Sequence, residues 1–131
     1  MDAGVTALFV YGTLLPGHLR WPMLADRSLG HVAASAPGTL WDTGNGWPAA
    51  CFGEGDAVVP GALVHVEPSG LDVLLPVLDE IEGIGDPPDA ARDPYVRVVV
   101  EAGGVRAWAY HATRVDPTWR RIPAWADQPE R

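Results

Sequence analysis

The chain of 131 residues contains no lysine, and its charge is strongly one-sided. Nine basic residues, all of them arginine, stand against 17 acidic ones, so the net charge at pH 7 is −8. Because a nucleic-acid-binding protein needs a basic surface to neutralise phosphates, this balance argues against a nucleic-acid partner. It also provides no long-range attraction for an acidic substrate, so an anionic ligand would have to be recognised locally. We attribute the absence of lysine to codon bias.

Cysteine is nearly absent, and so are the patterns of cofactor and membrane proteins. Cys51 stands alone, so no intrachain disulfide is possible, and its apolar segment is typical of a small core residue. The four histidines lack metal-ligand spacing, and neither the dinucleotide-binding nor the P-loop glycine pattern occurs, so we predict no metal site and no cofactor. No apolar run is long enough to span a membrane, and the first residues lack signal-peptide features. We therefore expect a cytoplasmic protein without membrane association.

The chain has the composition of one small folded domain. Apolar residues make up 47% and charged residues 20%, so a single domain with one core over residues 1–131 is expected. Fifteen glycines and 13 prolines predict many turns. Periodicity predicts a helix over 69–82, kinked or delayed by Pro76, and a tail without regular structure from Arg114. It also predicts a short mixed segment at 18–25 and strands at 5–11, 29–35, 38–41, 48–52, 58–66, 95–102 and 105–112.

The first strand ends in a short loop, Tyr11-Gly12-Thr13-Leu14, which we call the glycine loop. Gly12 has no Cβ, so a ligand can approach the backbone closely there. Successive N–H groups in such a loop can form a concavity that binds anions. On the loop alone, a plain strand end with a turn is the simpler interpretation.

Glu82 stands at the end of the predicted helix, just before the typical helix stop Gly83. It lies four residues after Leu78 and therefore projects from the apolar stripe, whereas Asp79 and Glu80 point elsewhere. A carboxylate that stays on a buried face has a raised pKa and is a candidate for acid–base chemistry. Because helix ends fray, the same side chain could instead extend into solvent. The apolar stripe consists of Leu71, Leu74, Leu75, Leu78 and Ile81.

The last two predicted strands form a hairpin around Gly103-Gly104, a strong two-residue turn signal. This turn places Arg97 opposite Tyr110 and puts both on one face together with Tyr95 and Trp108. An arginine among aromatic rings can be a cation–π packing element or an anchor for an anion. Tyr95 is ambiguous in the same way, because a buried tyrosine needs only one partner for its hydroxyl.

Together these segments resemble the gamma-glutamylcyclotransferase-like family. The resemblance is carried by the glycine loop, by Leu78-Asp79-Glu80-Ile81-Glu82-Gly83 and by Tyr95-Val96-Arg97. Trp47-Pro48-Ala49 and Val59-Pro60-Gly61 are similar to two further family segments. The family includes gamma-glutamylamine cyclotransferases, plant avirulence-induced proteins and an antibiotic-biosynthesis member that removes a gamma-glutamyl protecting group. The resemblance implies an α+β fold, a small mixed β-barrel with one main helix and short peripheral helices.

The resemblance also implies a reaction, the cleavage of a small-molecule gamma-glutamyl amide into 5-oxoproline and an amine. Attack by the substrate's own α-amino group is intramolecular, so no covalent enzyme intermediate, metal or cofactor is required. Glu82 would act first as base and then as acid, and the glycine loop (Tyr11, Gly12, Thr13 and Leu14) would hold the glutamyl head. Tyr95, Arg97 and Tyr110 are further candidate substrate-binding residues. The alternative is a catalytically silent module that holds a small amino-acid-like ligand in the same cavity.

Three segments depart from the family pattern. The linker over 83–94 is longer than expected, the C-terminal tail has no match, and the central strand reads Gly61-Ala62-Leu63-Val64 where members often have Glu or Thr after the glycine and Tyr at the fourth position. These departures bear on the leaving amine more than on the glutamyl chemistry. We hypothesise that the 83–94 loop contacts the leaving amine and sets specificity, with an ordinary solvated insertion as the alternative. No feature of the sequence predicts an oligomeric state.

Overall fold

The computed structural model describes residues 4–125, which form a strongly curved sheet with one main helix packed on it. Along the chain the elements are β1 (Ala7–Val10), α1 (Pro22–Ala25), β2 (Ser28–Asp42), β3 (Pro48–Phe52), β4 (Val58–Val66), α2 (Pro68–Ile81), β5 (Tyr95–Ala102), β6 (Val105–Ala112) and β7 (Arg120–Ile122).

The sheet has the strand order β3-β2-β4-β1-β6-β5, and β7 pairs with the end of β2. The β1–β6 pair is parallel and the other pairs are antiparallel, so the sheet is mixed. The sheet curls so that β3, at one end, reaches β6, the strand next to the other end, and there the Phe52 N–H donates to Nδ1 of His111 at 2.9 Å. The result is a nearly closed mixed β-barrel, which confirms the predicted fold class.

Strand β1 lies in the middle of this sheet and is buried along its whole length. Its side chains alternate between two apolar clusters because successive residues of a strand point to opposite faces. Leu8 and Val10 pack in the cluster that contains the buried face of α2, whereas Ala7 and Phe9 pack in the cluster that contains Leu40. A strand that is buried on both faces has a continuous run of apolar residues, which explains the uninterrupted apolar sequence of Ala7–Val10.

The structure confirms the predicted strands at 48–52, 58–66, 95–102 and 105–112 and the register of the Gly-Gly hairpin, in which Arg97 is the partner of Tyr110. The predicted break between strands 29–35 and 38–41 is wrong. Strand β2 is continuous, but it changes neighbours there, pairing with β4 up to Pro37 and with β3 from Gly38. The break in the sequence pattern therefore marks a change of partner and not an end of the strand.

Two further predictions need correction. The tail is not wholly irregular, because β7 pairs with β2 and buries Ile122. Helix α2 begins at Pro68 and continues through Pro76, so the delayed start is wrong, whereas the kink stays a prediction. Pro76 lies on the exposed face of the helix, so the carbonyl group that loses its backbone partner faces solvent. Tail predictions beyond residue 125 lie outside the described residues.

Candidate functional site

A cavity of about 920 Å³ opens where β1 ends. The buried strand delivers the glycine loop directly into its wall, and the end of α2 contributes Glu82 to the same wall. The sequence-predicted residues that line the cavity are Tyr11, Gly12, Thr13, Leu14, Glu82, Tyr95 and Tyr110. Residues predicted from three distant parts of the chain are thus brought together in one concave site.

The glycine loop turns its carbonyl groups into the protein and leaves its amides open. The carbonyl oxygen of Gly12 accepts from the N–H of Leu15 at 3.0 Å, and that of Thr13 accepts from the N–H of Arg20 at 2.7 Å. Within the described residues, the N–H groups of Gly12, Thr13 and Leu14 donate no backbone hydrogen bond. Open amides on a cavity wall can bind an anion or a developing oxyanion.

Gly12 is required by its neighbour and not by an unusual backbone angle. A Cβ at this position would lie 2.6 Å from Cγ and 2.7 Å from Cδ of Pro48, and no side chain fits at such a separation. Gly12 is not among the glycines with positive φ. Pro48 is a buried, rigid residue at the start of β3, so the loop and the strand are packed against each other at the cavity wall.

Glu82 caps the C-terminal end of α2 and remains partly buried. Its N–H donates to the carbonyl group of Leu78 at 2.9 Å, and Gly83 follows with a φ of 78°, which ends the helix. Burial raises the pKa of Glu82 from 4.5 to about 7, with the Arg20 cation opposing the shift and the Asp79 carboxylate adding to it. Both protonation states are therefore accessible near neutral pH, as proton transfer in two directions requires.

The hydroxyl groups of the three tyrosines donate hydrogen bonds that connect the elements around the cavity. Tyr11 donates to the carbonyl oxygen of Tyr110 at 2.7 Å, and Tyr95 donates to that of Pro48 at 3.4 Å. Tyr110 donates to Oδ1 of Asp79 at 2.7 Å. Burial raises the pKa of each of these phenols above its ordinary value of 10, and the charge of Glu82 contributes in the same direction. They therefore stay protonated at neutral pH and act as hydrogen-bond donors.

Arg97 takes a different place from the other predicted residues, because it is not among those that line the cavity. Its guanidinium group lies 3.4 Å from Oδ2 of Asp79 and 4.8 Å above the ring of Trp108. This is the cation–π packing that the sequence left open, with an added ion pair. Asp79, which the helical spacing places away from the apolar stripe, connects Arg97 and Tyr110 to the turn of helix that precedes Glu82.

The 83–94 loop meets the cavity only through its two ends, Gly83 and Pro94. Its middle is exposed and braced internally, since Oδ2 of buried Asp93 accepts from the N–H groups of Gly85 at 3.0 Å and Asp89 at 2.9 Å. The hypothesis that this loop contacts the leaving amine stays a prediction, and in this structure it can apply only to the two ends of the loop. An exposed rim of the cavity is formed by two segments that the sequence analysis did not name as candidate sites, 43–47 and 114–119.

Arg20 also lines the cavity, and the sequence analysis did not select it as a candidate site residue. The only available signal was its position, nine residues after Tyr11 and hence close to the glycine loop. In residues 4–125 no three His, Cys, Asp or Glu side chains are grouped so that they could hold a metal ion. Over the same range no helix combines the length and the apolar character needed to cross a membrane.

Comparison with known proteins identifies a family and a relative from it. The family model described as "Gamma-glutamyl cyclotransferase, AIG2-like" matches residues 8–126. A gamma-L-glutamyl-butirosin B gamma-glutamyl cyclotransferase from Niallia circulans is 33% identical over 122 residues, which cover 90% of this chain and 74% of that protein.

Two solved structures share the fold at low sequence identity. An AIG2-like protein from Mus musculus has a TM-score of 0.70 at 19% identity, with 95% of this chain and 90% of that chain covered. An uncharacterized protein from Pyrococcus horikoshii has a TM-score of 0.62 at 21% identity, with 93% and 91% covered. The family match includes every segment that forms the cavity described above. The chain therefore belongs to the AIG2-like gamma-glutamyl cyclotransferase family.

Proposed function

We propose that this protein cleaves a gamma-glutamyl amide by cyclisation, with release of 5-oxoproline and an amine, and that Glu82 is the general base and acid. The observation that supports this most directly is the pairing of two features in one cavity. A carboxyl group with a pKa of about 7 shares the wall with a loop whose amide N–H groups are open. Family membership and the Niallia circulans relative support the reaction class independently.

The first step needs a base that faces the α-amino group of the substrate. The Glu82 carboxylate accepts a proton from this amino group as the nitrogen attacks the side-chain carbonyl carbon of the glutamyl group. The new C–N bond closes a five-membered ring, and the electron pair of the C=O bond moves onto the oxygen. The open amides of the glycine loop stabilise this oxyanion, a contribution worth about 3 kcal/mol for each well-placed donor.

The second step needs an acid. The oxyanion reforms the C=O bond, the bond to the leaving nitrogen breaks, and the Glu82 carboxyl group gives its proton to the departing amine. Glu82 thereby returns to the carboxylate form, and no water, covalent enzyme intermediate or external proton is consumed. A pKa near the working pH suits a group that must accept and donate in the same turnover.

The leaving amine would occupy the rim formed by 43–47 and 114–119. Trp47 is 45% exposed there, and Trp119 is partly buried on the other side. The Thr43 hydroxyl donates to the carbonyl oxygen of Trp47 at 2.7 Å, which fixes the shape of the first segment. We propose that these two segments set the preference among gamma-glutamyl amines.

The test is the formation of 5-oxoproline from a panel of gamma-glutamyl amides, monitored together with the released amine. Turnover by the wild-type protein that is lost in Glu82→Gln and kept in the neighbouring exposed variant Glu80→Gln would support the proposal. Binding of a gamma-glutamyl amide with no turnover of any member of the panel would contradict it and favour the silent binding module.

A further inference from the structure

Two arginines line the cavity, and Arg20 is the one whose guanidinium group has no hydrogen-bond or ion-pair partner within residues 4–125. The other arginine of the wall, Arg114, donates to the carbonyl oxygen of Ala91 at 3.3 Å. Elsewhere in the described residues Arg92, Arg97 and Arg120 are held in ion pairs with aspartates. Arg20 is partly buried, and its side chain makes neither a hydrogen bond nor an ion pair with any described residue.

The backbone holds Arg20 close to the glycine loop. Its N–H donates to the carbonyl oxygen of Thr13 at 2.7 Å, and the turns at Gly12–Leu15 and Leu15–His18 fold the intervening residues back on the loop. Arg20 also lies near enough to Glu82 for its charge to act on that carboxyl group. The cation therefore faces the same volume as the catalytic carboxylate and the open amides.

Every gamma-glutamyl amide carries an α-carboxylate, and this group takes no part in the bond changes of the cyclisation. In a gamma-glutamyl amide the α-carboxylate and the attacking α-amino group are bonded to the same carbon atom. Whatever holds the carboxylate must therefore lie close to the group that deprotonates the amine. On a protein with a net charge of −8 this attraction has to be supplied locally, and arginine presents a planar set of donors that matches a carboxylate.

We propose that Arg20 binds the α-carboxylate of the glutamyl head and so orients the α-amino group towards Glu82. This inference rests on the proposed function, because it takes a gamma-glutamyl amide as the substrate. Arg114 is less suited to the role, since it is exposed and already donates to the 83–94 loop. Arg20 is thus a substrate-binding residue that distinguishes glutamyl from other amides with the same chain length.

A pair of substrates tests the idea directly. A 4-aminobutyryl amide keeps the amino nucleophile and the carbonyl group but lacks the carboxylate, and it cyclises to 2-pyrrolidinone with release of the same amine. The wild-type protein should prefer the glutamyl substrate in kcat/KM. At a pH well above the Glu82 pKa of about 7, where this carboxyl group is ionised with or without the Arg20 charge, Arg20→Gln should lose about 10- to 100-fold on the glutamyl substrate, as expected for a charged hydrogen bond, and should change little on the aminobutyryl substrate. Arg20→Lys should restore part of the loss.

Two arginine variants serve as controls for this experiment. Arg27→Gln makes the same chemical change at an exposed site outside the cavity and should keep the wild-type preference. Arg114→Gln tests the competing cation. If Arg114→Gln abolishes the preference and Arg20→Gln does not, or if Arg20→Gln weakens both substrates equally in a folded protein, the assignment is overturned.

Calorimetric binding of the two cyclic products separates this inference from the reaction. 5-Oxoproline carries the carboxylate, and 2-pyrrolidinone does not. We expect the wild-type protein to bind 5-oxoproline more tightly and Arg20→Gln to lose this difference, whether or not any amide is turned over. A wild-type protein that binds both products equally would refute the role of Arg20. Discrimination in binding without turnover would preserve it and refute the reaction alone.

Discussion

The hydroxyl group of Tyr110 donates a 2.7 Å hydrogen bond to Oδ1 of Asp79, which lies three residues before Glu82 on α2. Arg97 approaches the other carboxylate oxygen of Asp79 at 3.4 Å. Helix α2 is therefore connected to the β5–β6 hairpin at the turn that carries the candidate base. Asp79 has two effects on Glu82, since it anchors the helix end and adds a negative charge that raises the pKa of Glu82.

Asp79→Asn should shift the pH profile of activity to lower pH. The amide oxygen can still accept from Tyr110, but the negative charge that raises the pKa of Glu82 is gone. The ascending limb of kcat/KM against pH reports the free enzyme and should move below pH 7. Arg97→Met is the matched control, because it breaks the same ion pair and leaves the charge on Asp79. A downward shift of equal size in both variants would show that the effect is structural.

Glu82→Gln should lower kcat by about 10²-fold or more, the usual contribution of positioned acid–base catalysis. The substitution preserves size and removes the titrating proton. Because the substrate must still bind, KM should change much less than kcat. Steady-state kinetics with the best gamma-glutamyl amide checks this, and a variant with wild-type kcat would remove Glu82 from the mechanism.

The same substitution should change how stability depends on pH. The pKa of Glu82 is about 7 in the folded protein, compared with an ordinary 4.5, so the folded state binds more protons between these values. Stability from this group is complete below about pH 4.5 and is lost as the pH rises towards 7. Glu82→Gln should therefore be more stable than the wild type by about 3 kcal/mol above pH 7 and about equal below pH 4.5.

Urea unfolding at a series of pH values measures this difference. Glu80→Gln, an exposed substitution in the same turn, is the control and should follow the wild-type curve. Curves for Glu82→Gln and the wild type that stay parallel over the whole range would contradict the buried position of the carboxyl group.

Gly12→Ala should destabilise the protein as well as weaken ligand binding. The sequence analysis relates the missing Cβ of Gly12 to ligand approach, but in the structure an added Cβ would also collide with the ring of Pro48 and force the loop away from β3. We expect a loss of about 1–3 kcal/mol, the usual cost of overpacking. Thermal unfolding and 5-oxoproline affinity on the same sample measure both effects. Gly53→Ala is the control, because nothing lies within 4 Å of a Cβ there and its φ is ordinary; a Gly12→Ala variant as stable as Gly53→Ala would refute the packing account.

Trp47→Ala should change the preference among leaving amines, whereas shortening the 83–94 loop between Asp86 and Ala91 should not. Trp47 lines the exposed rim, and the middle of the loop lies away from the cavity. The measurement is the relative kcat/KM for small, aliphatic and aromatic gamma-glutamyl amines. If the shortened loop alters this profile and Trp47→Ala leaves it unchanged, specificity belongs to the loop as the sequence hypothesis stated.

The sequence predicts best the features that depend on local pattern. Strand β4 and the hairpin register follow from alternation and from the Gly-Gly turn, and the alignment of Glu82 with the apolar stripe follows from helical spacing. It fails where a contact is made between distant segments. The partner of Asp79 lies 31 residues away, and the change of neighbours at Pro37 depends on where β3 and β4 sit. Neither the contact of Asp79 nor the change of strand partner produces a periodic pattern in the local sequence.

The sequence also could not indicate the proposed role of Arg20 in binding the α-carboxylate, because that role depends on a contact between separate segments. A lone arginine in an irregular segment has no pattern, and only the fold shows that the backbone returns it to the glycine loop. The sequence does not predict the short strand β7, because three residues are too few to show a strand periodicity.

The hydrogen bond from Tyr11 to Tyr110 joins residues 99 positions apart in the chain. Closing a loop of this length costs conformational entropy, so we expect this contact to form late in folding. A nascent chain that has not yet emerged through β6 therefore has a glycine loop but no cavity wall opposite it. Catalytic competence should appear only with completion of the barrel, so the onset of turnover during refolding reports the last assembly step and not the formation of the helix that carries Glu82.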